Sequence, residues 1–370
     1  MSDMEYKKYK LKELLTIKNG KDHKKLDNGS YPVYGSGGYM RSVDSFLYND
    51  TSILLPRKGT LSNIQFISET PFWTVDTIYY TVLNENLYDP YYLYLYLNSL
   101  DLSGYDSGAS IPSMTSKTYY SLNIELPEKR IQTKVANIIR DYDKLIENNN
   151  KRIRLLEKMA ENLYKEWFVR FRFPGYENVE FEGGIPNGWK IVRLSDIADI
   201  IMGQSPESEN YNTNCKGLPF HQGVGSYGDF YLIDDVYSTK GNRIAEANSI
   251  IFSVRAPVGR INITLNKIIL GRGVAGINSI PGYNAYLLWM LKNQFQQEDI
   301  IGNGSIFASV TKKELFGFKI LMPNEDLIQK FDSIASGIES EMRKITLINS
   351  NLKKQRDMLL PRLMSGKLEV

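Results

Sequence analysis

A long stretch near the middle of the chain decides the fold. Residues 127–172 read PEKRIQTKVANIIRDYDKLIENNNKRIRLLEKMAENLYKEWFVRFR, with no proline or glycine after the first residue. Two rows of mostly apolar side chains recur every seven residues. The first row is Val135, Tyr142, Asn149, Leu156 and Leu163, and the second is Ile139, Ile146, Ile153, Ala160 and Trp167. Rows with this spacing predict a long helix with a coiled-coil seam, and such a seam needs a partner helix.

A second stretch near the end of the chain supplies that partner. Residues 323–364 also begin with a proline, and they carry the row Phe331, Ile338, Ile345, Leu352 and Leu359. Each member lies 196 residues after its counterpart in the row that starts at Val135 (331 − 135 = 196). Asn149, Asn349 and Arg356 interrupt the seams, and polar seam residues fix the register of paired helices at a cost in stability. The alternative is two unrelated helices that each cover their own domain.

The internal repeat extends beyond the two helices. The aligned segments are 11–20 with 194–203, 53–64 with 250–261, 92–97 with 286–291 and 108–127 with 304–323. The offset grows from 183 to 197 between the first two pairs, which predicts about fourteen additional residues in the second copy, near 207–230. Short strands and short helices alternate in each copy, as is typical of an α+β domain.

The repeat predicts the order domain, long helix, domain, long helix. The predicted boundaries are a first globular domain at 1–126, a central helix at 127–172, a second globular domain at 173–322 and a distal helix at 323–370. Two equal halves that each end in a long helix fold most simply with the helices antiparallel. We therefore expect an α+β protein in which a pseudo-twofold axis relates two domains separated by a two-helix coiled coil.

Composition excludes several classes of protein. A single cysteine, Cys215, allows no internal disulfide and fits a reducing cytoplasm, and together with two histidines it cannot build a zinc site. No apolar run approaches the length of a membrane span, and residues 1–12 lack the apolar core of a signal peptide. The net charge of +3 is too small to indicate nucleic-acid binding by itself. We expect a cytoplasmic protein with no metal and no membrane span.

Catalytic motifs are missing. No phosphate-binding GxxxxGK[ST] loop occurs, and no nucleophile elbow or acidic pair stands out. Residues 89–92 read Asp-Pro-Tyr-Tyr, which differs from the Asp-Pro-Pro-Tyr motif of adenine methyltransferases in lacking the second proline. An apolar helix is predicted directly after it, so we interpret this segment as a helix start. The sequence thus predicts a protein without catalytic residues and without a bound cofactor.

Loops that mix basic, aromatic and amide residues occur at equivalent places in the two copies. Arginine and lysine can read guanine, asparagine and glutamine can read adenine, and lysine can hold phosphate. The alternative is an ordinary solvated surface. The candidate DNA-contacting residues of the first domain are Lys21, Lys24, Lys25, Tyr34, Ser36, Arg41, Arg57, Lys58 and Lys117. Those of the second domain are Gln204, Ser205, Gln222, Tyr227, Arg243, Arg255, Arg260, Arg272, Lys312 and Lys313.

With these features the chain resembles the specificity (S) subunits of type I restriction–modification systems. The resemblance covers the whole length. It is carried by the repeat, by EWFVRFRFPG at 166–175, by LLPRLMSGKL at 359–368, and by residues 11–20 followed by PVYGSGG at 32–38. One departure is that a Glu-Gln pair frequent in the family after the domain-closing proline is replaced by residues 129–132 and 326–329.

The resemblance implies a role for each part. Each globular domain would be a target-recognition domain that reads one half of a split, asymmetric double-stranded DNA target. The coiled coil would fix the spacer and dock two modification (M) subunits, which hold S-adenosylmethionine and methylate adenine. Restriction (R) subunits would complete the complex. The alternatives are a fused or stand-alone DNA methyltransferase and a coiled-coil scaffold that does not bind DNA.

Overall fold

The chain forms two compact units. The computed structural model describes residues 5–102, 112–298 and 309–368, except for the side chains of 296–298. The first unit comprises residues 1–147 and 349–370, and the second comprises residues 148–348. Each unit therefore combines one globular domain with a part of each long helix.

The first unit is built on a four-stranded antiparallel sheet. Its elements in chain order are β1 (Lys7–Lys10), α1 (Leu11–Leu14), β2 (Leu15–Asn19), β3 (Asn28–Gly35), β4 (Gly38–Val43), β5 (Ser52–Pro56), β6 (Gln65–Ile67), β7 (Trp73–Thr74), β8 (Ile78–Leu83), α2 (Pro90–Ser99), α3 (Ser116–Tyr120), β9 (Asn123–Leu126) and the start of α4 (Lys129–Tyr164). The main sheet has the order β2-β8-β5-β6, and β4-β3-β7 and β1-β9 form smaller sheets. Every residue of β5 is buried, as expected for an interior strand.

Helix α2 begins where the sequence predicts. The Asp89 side chain accepts hydrogen bonds from the backbone N–H groups of Tyr91 (2.9 Å) and Tyr92 (3.1 Å), and Pro90 occupies the first turn. An aspartate at this position satisfies N–H groups that have no partner within the helix. The Asp-Pro-Tyr-Tyr segment is therefore a helix cap, as interpreted from the sequence.

The second unit repeats this arrangement with a larger accessory sheet. After a π-helical turn at Lys165–Val169 that ends α4, its elements are β10 (Phe181–Glu182), β11 (Ile185–Pro186), β12 (Lys190–Arg193), α5 (Leu194–Ile197), β13 (Ala198–Met202), β14 (Tyr211–Asn212), β15 (Leu218–His221), β16 (Tyr237–Ser238), β17 (Ile244–Ala245), β18 (Ile250–Ser253), β19 (Ile261–Ile263), β20 (Ile268–Leu270), β21 (Val274–Ser279), α6 (Asn284–Glu298), α7 (Lys312–Phe316), β22 (Lys319–Met322) and the start of α8 (Glu325–Met364). The main sheet has the order β13-β21-β18-β19, which matches β2-β8-β5-β6 strand for strand.

The additional residues of the second copy are divided between two places. Tyr34 pairs with Thr74 between two parallel strands, and His221 pairs with Leu270 in the same way, so Tyr34 and His221 are equivalent. The offset between the two copies is therefore 187 at this point (221 − 34). It was 183 before β15 and reaches 197 by Ile250. Both β16 and β17 have counterparts in the first unit, because β16 pairs with β15 as β4 pairs with β3, and Ala245 pairs with Ile268 as Tyr48 pairs with Phe72. Most of the additional residues therefore lie between His221 and β16, close to the expected window at 207–230.

The long helices run antiparallel within the first unit. Val135, Ala136 and Ile139 of α4 share a buried cluster with Leu363 of α8. Further along α4, Asp143 accepts a hydrogen bond from Arg356 at 2.5 Å. Residue numbers that rise along α4 therefore meet residue numbers that fall along α8, as in an antiparallel pair. Arg356 is one of the polar residues that interrupt the predicted seam, and this ion pair is its partner within the seam.

The same direction holds within the second unit. Arg152 of α4 pairs with Glu341 of α8 at 3.4 Å, and the Tyr164 ring contacts the Phe331 ring with centroids 5.8 Å apart. The two seam asparagines, Asn149 of this unit and Asn349 of the first unit, are both buried, with 4% and 5% exposure. The predicted pair of antiparallel helices and the α+β class are thus confirmed. None of the helices in the described part of the chain is both long and apolar enough to cross a membrane.

Candidate nucleic-acid interface

Four loops converge at one edge of the main sheet in the second unit. We call residues 203–205, 221–223, 254–255 and 271–273 the loop cluster of this unit. Gln204 N–H donates to the Leu270 carbonyl (2.9 Å), Gly271 N–H to His221 (2.8 Å) and Val254 N–H to Gly273 (2.9 Å). These three backbone hydrogen bonds hold the loops in a fixed order. They bring Gln204, Gln222, Arg255 and Arg272 to neighbouring places on the surface.

The loops approach each other so closely that glycine is required. A Cβ at Gly203 would lie 2.1 Å from the Gly271 carbonyl oxygen, and a Cβ at Gly273 would lie 2.2 Å from that of Gln222. Any side chain at either position would force backbone apart. The Ser205 hydroxyl adds a further bond by accepting from the Arg272 N–H at 3.1 Å. The backbone that carries the candidate side chains is therefore rigidly positioned.

The first unit contains the equivalent loop cluster at residues 20–21, 34–36, 57–59 and 75–77. The matching bonds run from Lys21 N–H to the Thr74 carbonyl (2.8 Å), from Val75 to Tyr34 (3.0 Å) and from Arg57 to Thr77 (2.9 Å). A Cβ at Gly20 would lie 2.0 Å from the Val75 carbonyl oxygen, as at Gly203. The backbone of Lys58 forms an antiparallel β-bridge with Ser113, and the backbone of Arg255 forms the same bridge with Ser309. Two of the candidates, Lys58 and Arg255, therefore occupy the same backbone position.

Most candidates in the two loop clusters present exposed side chains. Those classed as exposed are Lys21 and Lys58 in the first unit and Gln204, Gln222, Arg255 and Arg272 in the second. Ser36 is half-buried, and its N–H donates to the Thr77 hydroxyl at 3.3 Å. Arg57 is half-buried over the Tyr79 ring at 5.9 Å. The two surfaces thus combine positive charge, amides and hydroxyl groups, the chemistry that contacts phosphates and base edges.

Three candidates make contacts within the protein through their own side chains. Arg41 donates to the carbonyls of His23 (3.1 Å) and Leu26 (2.5 Å), so it braces the preceding loop. The Tyr227 hydroxyl donates to the Ile251 carbonyl at 3.3 Å, and burial raises the pKa of this hydroxyl. Tyr34 packs edge-to-face on Phe72, and burial raises its pKa as well. These contacts stabilise the loops, and the three residues remain predicted DNA contacts.

The remaining candidates lie near the loop clusters or on separate elements. Lys24 and Lys25 are exposed in the loop after Lys21. The carbonyl of exposed Arg243 accepts from Leu270 N–H at 2.8 Å, which places it beside the cluster of the second unit. Arg260 instead lines a cavity of about 370 Å³ together with Glu157 and Lys292.

Three lysines lie on short capped helices. The Thr115 hydroxyl accepts from Thr118 N–H (3.2 Å) at the start of α3, and the Thr311 hydroxyl accepts from Glu314 N–H (3.3 Å) at the start of α7. Lys117 and Lys313 each follow their cap by two residues and are exposed, so they occupy equivalent positions. Lys312 is also exposed, with its ammonium 5.0 Å from the Phe316 ring.

One residue of the loop cluster in the first unit was not among the sequence-predicted candidates. Asp76 lies in the first unit at the position that Arg272 occupies in the second, and it is exposed. An acidic residue in a weakly charged domain carries no signal of DNA contact, so only the matched hydrogen bonds identify it. Within the described ranges, no group of three or more histidine, cysteine or acidic side chains could hold a metal ion.

Comparison with known proteins decides the family. The model of the type I restriction modification DNA specificity domain matches residues 3–158 and 186–355. The chain belongs to this family. The two matches correspond to the two halves of the internal repeat, each with its globular domain and the greater part of its long helix.

Relatives of this specificity subunit carry consistent names. A Methanocaldococcus jannaschii protein named as the MjaX type I restriction enzyme specificity subunit is 32% identical over 303 residues, covering 78% of this chain and 70% of its own length. The MjaIX specificity subunit of the same organism is 27% identical, with coverage of 94% and 86%. The crystal structure of a type I S subunit from M. genitalium has a TM-score of 0.65 at 17% identity over 98% of this chain and 97% of its own, which supports the fold.

Proposed function

We propose that this specificity subunit reads a split DNA target, with one half-site contacted by each loop cluster. The observation that supports this most directly is that both units build the same backbone arrangement and place different side chains on it. Lys21 corresponds to Gln204, Lys58 to Arg255 and Asp76 to Arg272. A shared scaffold with different hydrogen-bonding groups suits two readers of different base sequences. The target would therefore be asymmetric.

Phosphate contacts would supply most of the affinity. Lys24 and Lys25 follow the first loop of the first cluster, and Lys117 and Lys313 lie four residues after Ser113 and Ser309, which pair with cluster residues Lys58 and Arg255. All four lysines are exposed. Such groups neutralise phosphates without distinguishing bases, whereas an arginine that donates two hydrogen bonds to guanine discriminates by about 1–3 kcal/mol. Positioning and reading would thus be divided between different residues of the same unit.

Partner subunits would supply the chemistry. We propose that two modification subunits carry S-adenosylmethionine and methylate adenine, that restriction subunits join them, and that this chain is non-catalytic and acts in the cytoplasm. The long helices leave large apolar side chains exposed, among them Leu155 (68%), Met159 (56%) and Met358 (64%). Exposed apolar side chains on helices already paired within each unit favour docking of further chains. These helices are the proposed docking surface.

The alternative of a stand-alone methyltransferase is disfavoured by Asp89. In an Asp-Pro-Pro-Tyr motif the acidic residue and the tyrosine would contact the adenine that is methylated. Here Asp89 is 8% exposed and its carboxylate caps α2, so it is occupied by the fold. The alternative of a scaffold without DNA binding leaves the two matched loop clusters unexplained.

Sequencing of methylated DNA tests the proposal. The chain would be co-expressed with its modification subunits in a host that lacks adenine methylation, and methylated adenines would be mapped across the genome. The expected result is a two-part asymmetric motif that disappears without this chain. Native mass spectrometry of the purified complex should give two modification subunits per chain. A contiguous motif, or a motif independent of the chain, would overturn the proposal.

A further inference from the structure

Asp76 and Arg272 occupy one backbone position in two copies of the same turn. The turn starts at Thr74 and Leu270, whose carbonyls accept from Lys21 and Gln204. It ends at Thr77 and Gly273, whose carbonyls accept from Arg57 and Val254. The spacing between these anchors is three residues in both units (77 − 74 and 273 − 270), so no insertion separates them. The two side chains thus leave equivalent points of the loop clusters.

Both side chains are exposed and available to an external partner. Among the residues that the structure describes, none forms a hydrogen bond or ion pair with the Asp76 carboxylate or the Arg272 guanidinium. The backbone of each is held, because the Asp76 carbonyl accepts from Arg57 at 3.4 Å and the Arg272 N–H donates to Ser205. This differs from Arg41, whose Nη2 donates to two loop carbonyls.

A carboxylate on this surface needs a specific reason. Bringing Asp76 towards DNA costs repulsion from phosphates unless a base donates a hydrogen bond to it. Cytosine presents only its N4 amino group in the major groove, whereas the adenine N6 amino group lies beside the acceptor N7, which repels a carboxylate. Lys21 and Lys58 lie on the adjoining loops of the cluster and offset the repulsion from the backbone. Cytosine is therefore the base that suits Asp76.

We infer that this shared position is a base-reading position in both half-sites: Asp76 accepts a hydrogen bond from cytosine N4, and Arg272 donates to O6 and N7 of guanine. The inference deepens the proposed function and depends on it. It assigns one base pair in each half-site. The first unit would contact the cytosine of a C·G pair, and the second unit would contact the guanine of a G·C pair.

Substitutions at this position should rewrite one base pair at a time. Asp76→Asn keeps the side-chain size and can pair with adenine N6 and N7, so the preference at one position should move from cytosine to adenine. Asp76→Arg should move it to guanine, and Arg272→Asp should move the second half-site from guanine to cytosine. Each variant should lose about 10- to 100-fold in methylation of the original target at that position. The other half-site should be unchanged.

The experiment uses the complete complex with modification subunits and a library in which both half-sites are randomised. Glu85→Gln is the matched control, because Glu85 is an exposed acidic residue beyond the opposite end of β8 from Asp76. Its motif should equal that of the unaltered chain. If Asp76→Arg fails to fold, the near-isosteric Asp76→Asn still tests whether this residue sets the preferred base.

The outcomes separate the inference from the proposed function. A change of preferred base at one position in one half-site supports the inference. An unchanged motif in both Asp76 variants, or a uniform loss of methylation with the same motif, overturns it, because Asp76 would then only position its basic neighbours. If the unaltered complex shows no two-part motif at all, the proposed function itself fails.

Discussion

At the scale of single residues, the second unit contains a buried acid that should make stability depend on pH. Glu339 of α8 accepts a hydrogen bond from the Trp289 indole N–H at 3.0 Å. Burial raises the pKa of Glu339 from its usual 4.5 to about 8, nearby Asp332 adds to the rise, and the hydrogen bond from Trp289 and the charge of Lys292 oppose it. The folded state therefore holds a proton that the unfolded state releases above about pH 4.5.

The sign of the effect follows directly. Because the folded state binds more protons than the unfolded state between about pH 4.5 and pH 8, the free energy of unfolding should fall across this range, by at most about 1.4 kcal/mol per pH unit. Glu339→Gln keeps an acceptor for Trp289 and removes the titration, so its stability should decline less. Urea unfolding at pH 5, 6, 7 and 8 measures this, with half-exposed Glu341→Gln as the control; parallel curves for Glu339→Gln and the unaltered chain would contradict it.

The predictability of the site also differs from residue to residue. Lys58 and Arg255 were recognisable because a basic residue recurs in an aligned turn. Asp76 was not, because its equivalence to Arg272 depends on backbone hydrogen bonds between loops distant in sequence. Tyr227 was named because its aromatic ring and hydroxyl suit a base contact, and the sequence carries no sign that this hydroxyl donates to the Ile251 carbonyl.

At the scale of elements, the heptad pattern predicts the long helices well and their ends less well. Helix α4 extends from Lys129 to Tyr164 and closes with a π-helical turn, whereas the pattern extends to residue 172. At this end of α4, Trp167 and Phe168 pack into the core of the second unit, where both rings contact Phe331 of α8. Strands β16 and β17 were not predicted, because a strand of two residues is too short to show a periodic pattern of apolar side chains.

A prediction at this scale concerns the spacer between half-sites. Adding one heptad to each helix, after Asn149 in α4 and after Asn349 in α8, keeps both seams in phase and adds about 10 Å at 1.5 Å per residue. If the helices set the spacer, the methylated motif should gain about three unspecified base pairs at roughly 3.4 Å each. Both half-sites should keep their sequences. Methylome sequencing of the doubly extended chain would show an unchanged spacer if the helices have no such role.

At the scale of the whole molecule, affinity and specificity should be separable. Lys117 and Lys313 are equivalent, exposed and outside the loop clusters. If each contacts one phosphate, alanine at either position should weaken binding to all sequences and reduce the slope of log affinity against log salt by about one. Filter binding or fluorescence anisotropy with the assembled complex at several salt concentrations measures both quantities. Exposed Lys8, which pairs with Glu125, provides the control through Lys8→Ala.

Three outcomes would contradict these expectations. A change of preferred bases in Lys117→Ala or Lys313→Ala would mean that these lysines read sequence. An unchanged salt slope in both would mean that neither contacts the backbone. Equal effects on both halves from a substitution in one unit would argue against independent reading.

The glycines that lock the loop clusters carry a consequence for how such a chain can diverge. Because Gly20 and Gly203 leave no room for a side chain, the backbone that carries the proposed base contacts accommodates only glycine at these two positions. If Asp76 and Arg272 read bases as proposed, substitutions of these exposed side chains would change the target without disturbing that backbone, so a lineage could change what it recognises in single steps. A substitution at Gly203 would erase one half-site altogether. Positions that tolerate substitution and positions that do not thus lie in the same loop cluster.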